Sequence, residues 1–180
     1  MTRERKNPEQ ALYAELYRRQ AEGGYTDSYG HTNHGGRFAD HLKRVGAVSV
    51  LDVGCGHNEF VRALRERGIR AWGVDFACPG ADQLVDVLEL PFADKSWEWV
   101  TAWDMLEHLR PEQVDRALEE LARVSDKFAF TIAHRPSYHT VDGRPLHPTV
   151  EPPEWWLTQL RRFGVADLID NTFMGHWTHG

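Results

Sequence analysis

Asp52, Gly54 and Gly56 stand in the run VLDVGCGHNEF, residues 50–60, where a Val-rich strand pattern passes directly into a helical one. In an open parallel sheet, ligands bind outside the carboxyl ends of the strands, near the point where strand order reverses. Glycines at such a turn let the backbone approach a ligand closely. Asp75 ends the next apolar run, nineteen residues beyond Gly56. An ionised carboxylate there can accept hydrogen bonds from both hydroxyls of a ribose. The chemistry these residues suit is the binding of a nucleoside.

The dinucleotide fingerprint G-x-G-x-x-G requires a third glycine where this chain has Glu59. A carboxylate would sit beside a pyrophosphate at a helix N-terminus that should attract anions. An NAD-dependent oxidoreductase is therefore disfavoured.

Three blocks narrow the choice: VLDVGCG, then GVDFA, then DVLELPFADKSWEWVTAWDMLEHL. Their order and spacing resemble the class I, Rossmann-like, S-adenosylmethionine-dependent methyltransferases over roughly residues 48–133. The resemblance implies that activity, with S-adenosylmethionine as cofactor. It implies that Asp52 and the Gly54–Gly56 turn hold the amino-acid end of the donor, that Asp75 takes the ribose, and that Phe76 packs on adenine. Asp86 and the Val87 backbone would read the adenine edge, and Trp103 would lie near the methionine portion. Asn58 stands where the family often has a third glycine, and Asn tolerates the left-handed conformation better than most residues. A reading of a different class stays open, that of a S-adenosylmethionine-binding partner or scaffold protein without turnover.

Methyl transfer from a sulfonium is an in-line displacement from an activated donor, so alignment is the main task and can supply about 7–11 kcal/mol. A general base adds about 10²–10⁴-fold where the acceptor must lose a proton. His134, after the fifth strand, and His108, after the fourth, are the candidate bases, with Asp104 as another. Tyr29, His31 and His34 in the first polar loop, His139 and His147 in the long loop after strand five, and Trp155 are the candidate acceptor contacts. The loop histidine spacings match no standard zinc pattern, and no metal is expected.

Several acceptors are disfavoured by resemblance. No [DN]-P-P-[YF] follows strand four, Cys78-Pro79 lies in the wrong place for a cytosine-C5 nucleophile, and Glu119-Glu120 reads as the solvated face of a helix. What remains is oxygen or nitrogen of a small-molecule, saccharide or carrier-borne acceptor.

The elements that must position these residues follow from periodicity. Helices are expected over about 8–22, 37–45, 58–67, 111–124 and 153–163. The helix at 111–124 is the clearest, with Val114, Ala117, Leu118, Leu121 and Ala122 at i, i+3, i+4, i+7, i+8. Strands are expected at 48–53, 71–74, 84–85, 97–103, 128–132 and 165–172, and 134–153 reads as a long loop. Alternation of this kind implies an α/β, doubly wound, mostly parallel sheet with helices on both faces. A last antiparallel strand would come from about 173–179 and looks short. The division expected is N-terminal helices and a cap loop over 1–47, then the binding core over 48–180, in one compact unit.

At 180 residues the chain can bury a core of its own. A net charge of −6 without blocks of like charge argues against a broad nucleic-acid face. No apolar run suits a membrane span or a secretory leader. Cys55 and Cys78 fit neither a disulfide framework nor a four-ligand zinc site, and a cytoplasmic location is the expectation.

Overall fold

A computed structural model describes residues 8–22, 35–137, 140–141 and 143–178. The centre is β1 (Ser49–Val53), whose five residues are all buried. Apolar Val and Leu on both sides of such a strand suit a sheet covered on both faces. It pairs in parallel with β2 (Arg70–Asp75) on one side and β4 (Trp97–Trp103) on the other. The strand order β3-β2-β1-β4-β5-β9-β8 reverses between β1 and β4, the switch point where a ligand crevice opens. Here β3 is Gln83–Leu84, β5 Ser125–Thr131, β8 Gly164–Ile169 and β9 Thr172–Trp177.

Helices cover both faces. α2 (Gly35–Arg44) and α3 (Glu59–Glu66) bury Leu42, Phe60, Val61 and Leu64 against one side. α4 (Pro111–Val124) and α5 (Pro153–Arg161) bury Val114, Leu118, Leu121, Trp156 and Leu160 against the other. α4 starts at Pro111, a residue suited to the first helical turn because it has no N–H to satisfy.

The end of the chain departs from expectation. β9 is a full six-residue strand, antiparallel to β5 and to β8, with Phe128 opposite Gly175 and Phe130 opposite Phe173. The two residues between β8 and β9, Asp170 and Asn171, have φ of 48° and 62°. Asp and Asn are residues that tolerate the two positive φ values a tight hairpin needs, so the turn falls at 170–171, inside the stretch expected as strand over 165–172. The long loop also carries structure, a short hairpin of β6 (Thr140–Val141) and β7 (Arg144–Pro145). Beyond it, Leu146 packs on Leu16 of α1 (Pro8–Ala21). No helix among the described residues is long and apolar enough to cross a membrane.

Candidate active site

A cavity of about 400 Å³ opens at the carboxyl ends of β1, β2 and β4. Two residue clusters line it, with α1 between them.

The first cluster holds most of the residues expected to take the donor. Asp52 is buried at the end of β1; the Thr101 hydroxyl donates to its Oδ1 at 2.6 Å, and its Oδ2 has no hydrogen-bond partner. Burial pushes its pKa up to about 7, with the Thr101 hydrogen bond acting the other way and the Asp75 charge adding to the rise. Gly54, at φ 75°, faces the Met105 side chain, which a Cβ at this position would overlap. Gly56 does not line the cavity; its N–H donates to Asp75 Oδ2 at 3.0 Å. Asn58 adopts φ 64° immediately before α3, the left-handed conformation expected of it.

Asp75 is not the exposed strand-end carboxylate its position suggests. It is buried, and Oδ1 accepts from the Ala77 and Cys78 N–H groups at 2.9 and 2.8 Å. Its Oδ2 takes the Gly56 N–H and the Tyr17 hydroxyl, the latter at 3.4 Å. This carboxylate organises both turns that frame the cavity, so it supports the fold as well as facing the cavity. Phe76, Asp86 and Val87 all line the cavity, and Asp86 Oδ1 accepts from the Leu88 N–H at 3.0 Å. Trp103 also lines it, yet its ring is wedged edge-on between Phe38 and Phe60, at 5.1 Å from each, so packing fixes its position.

The second cluster comprises Asp104, Glu107, His108, Arg135, Ser137 and His147. Asp104 has φ 50°, unusual for a residue with a side chain, and its N–H is held by the Thr131 carbonyl at 2.9 Å. Burial pushes the Glu107 carboxyl up to about 8, helped by the Asp104 charge. Burial depresses His108 to about 3, with His147 beside it at 4.8 Å between ring centroids. His108 is thus neutral and a weak base.

Of the two histidines expected to act as base, only His108 is in the cavity. His134 is exposed, its Nδ1 2.9 Å from the Glu151 carbonyl and its ring against Phe173. It does not line the cavity, although its neighbours Ala133 and Arg135 do; its ring faces the Glu151 carbonyl and Phe173 instead. Trp155 is likewise displaced, lying edge-on to Trp156 at 4.9 Å and packed on the α4–α5 core. Tyr29, His31, His34 and His139 lie outside the described residues.

α1 was expected only as a helix, with none of its residues singled out for the site. Tyr13 and Tyr17, one turn apart, both point into the cavity. Tyr13 lies edge-on to Phe76 and His108, with its hydroxyl 3.3 Å from His108 Nδ1. Burial and nearby carboxylates raise its pKa, so the phenol keeps its proton. Glu107, Tyr13, Tyr17, Arg135 and Ser137 are among the cavity residues that sequence reasoning passed over. The Glu-His pair of DMLEHL was a signal for Glu107; nothing in the spacing singled out Arg135 or Ser137.

The chain matches the methyltransferase-domain family model over residues 7–139. It is 28% identical over 142 residues to the "Probable pectin methylesterase CGR3" of Arabidopsis thaliana, covering 68% of this chain and 54% of that protein. The chain therefore spans about half the length of that relative. Its fold is similar to that of the 1,6-didemethyltoxoflavin-N1-methyltransferase of Burkholderia thailandensis, solved with S-adenosylhomocysteine bound. The TM-score is 0.67 at 16% identity, over 99% of this chain and 93% of that one. It is also similar to a SAM-dependent methyltransferase from Archaeoglobus fulgidus, with a TM-score of 0.55 at 20% identity over 78% and 93% of the two chains. Strand order, cavity and family match together make the chain a member of the class I, S-adenosylmethionine-dependent methyltransferase family.

Proposed function

We propose that the protein transfers the methyl group of S-adenosylmethionine to oxygen or nitrogen of a small-molecule, saccharide or carrier-borne acceptor. The observation that carries this reading is the continuity of one cavity from Asp52, Asp75 and Asp86 to His108, Arg135 and His147. In this reading Asp75 and Asp86 hold ribose and adenine, and Phe76 packs on the base. Asp52 faces the amino-acid end, where the donor's cationic amino group favours its ionised form. Tyr13 spans the two clusters and keeps water from the adenine. The acceptor enters beside Asp104, Ser137 and His147, with Arg135 placed to meet an anionic or polar group. Catalysis then rests chiefly on alignment. The relative named for pectin methyl-ester chemistry supports including saccharides among the acceptors to be tested.

The test is incubation with S-adenosylmethionine and panels of hydroxylated, carboxylated and amine acceptors, small and saccharide. S-adenosylhomocysteine and methylated product are read by mass spectrometry. Product from one class is expected. Tight donor binding with no turnover on any class would favour the scaffold reading instead.

A further inference from the structure

We propose that Glu107, His108 and His147 bind one divalent transition-metal ion on the acceptor side of the cavity. Each residue offers one ligand atom, and these atoms all lie within 4.8 Å of one another. Ligands of one zinc ion at about 2.1 Å lie roughly 3–3.5 Å apart, so the cluster must close by about an ångström.

Three further observations point to a cation. Glu107 is buried with no exposed surface. Its Oε1 accepts from the Ala133 N–H at 3.1 Å, while Oε2 is enclosed with no hydrogen-bond partner among the described residues. A buried polar atom left unmatched is costly, and such atoms are nearly always satisfied. His147 Nδ1 lies 2.8 Å from the Arg135 carbonyl. With the proton donated there, Nε2 carries the lone pair, the arrangement that orients ligating histidines in metal sites. Finally, among the described residues six carboxyl groups line the cavity against one arginine and no lysine. That field attracts cations, the donor's sulfonium as well as a metal.

His108 has to release a competing contact to ligate. Its Nδ1 lies 3.3 Å from the Tyr13 hydroxyl. Two imidazoles and one carboxylate suit zinc, cobalt, nickel or ferrous iron better than calcium or magnesium. Three protein ligands leave positions open for an acceptor oxygen, whose pKa the ion would lower. That consequence rests on the methyltransferase reading, whereas ion binding does not. The expectation of no metal came from ligand spacing along the chain; here a Glu-His pair meets a histidine from a separate loop.

The experiment uses the full chain stripped with a chelator, then titrated with cobalt(II) by visible absorption and with zinc(II) by calorimetry. One ion per chain is expected, with affinity lowered about 10-fold or more by His147→Ala and by Glu107→Gln. His147 is half-buried on a loop, so its variant is the primary test, with cooperative thermal unfolding as the check on folding. No bound ion, or wild-type affinity in folded His147→Ala, would overturn the assignment. S-adenosylhomocysteine binding to the stripped protein is measured alongside, so a failed metal site is distinguishable from a failed donor site.

Discussion

The Tyr17 hydroxyl donates to Asp75 Oδ2 across 3.4 Å, and this contact brings α1 to the carboxylate expected to hold the ribose. Oδ2 already accepts the Gly56 N–H. A ribose hydroxyl arriving there competes with the phenol. Tyr17→Phe removes the competitor, so S-adenosylhomocysteine should bind about 0.5–1.5 kcal/mol more tightly, the range for one neutral hydrogen bond. Calorimetry decides it. Weaker binding would mean that Tyr17 holds the donor itself.

Asp75→Ala should act twice. Donor binding should fall by about 1.5–3 kcal/mol, the range for hydrogen bonds to a charged group. The fold should also weaken by about 1–3 kcal/mol, because the Gly56, Ala77 and Cys78 N–H groups lose their acceptor. Urea denaturation measures the second effect and calorimetry the first. Unchanged stability would mean that water replaces the carboxylate without cost.

Asp52 should make the unliganded protein less stable as pH rises. The folded chain holds its proton up to about pH 7, whereas the unfolded chain releases it near 3.8, the ordinary value for an aspartate. Between those values the folded state binds more protons, so stability is full below the lower value and is lost as pH passes through the upper one. Asp52→Asn should flatten that part of the slope in urea midpoints taken across the window. Equal slopes in the two proteins would show that Asp52 titrates normally. Donor binding should release a proton in the same window, seen as a buffer-dependent heat.

His134→Ala should leave turnover unchanged, since the ring is exposed, bound to the Glu151 carbonyl and outside the cavity. Rates measured on the best acceptor from the panel check this. A large loss of kcat with KM unchanged would bring His134 back as the base.

Glu120 should matter for stability alone. Contrary to the solvated face expected for it, it is buried on α4, accepts from the Leu90 N–H at 2.8 Å, and pairs with Arg116 and Arg123. Glu120→Ala strands that N–H and should cost about 1–3 kcal/mol in urea denaturation. S-adenosylhomocysteine affinity should not change.

The sequence by itself determined the parts of this protein that are local. Periodicity placed β4 at Trp97–Trp103 and α4 at Pro111–Val124, because a buried strand and an amphipathic helix write their geometry into neighbouring residues. The turn around Gly54 and the acids at 52, 75 and 86 were readable for the same reason, as each lies at or just beyond the end of a strand. Only the tertiary structure decided what meets across the cavity. Asp75 is spent on backbone groups of two separate turns, and Tyr17 reaches it from 58 positions away. His134 and His108 both follow strands, yet one turns outward and the other meets His147 from a distant loop. Strand and helix patterns record which face of an element is buried. They carry no record of where a loop returns, because loop contacts depend on chain reversal and long-range packing rather than on residue spacing.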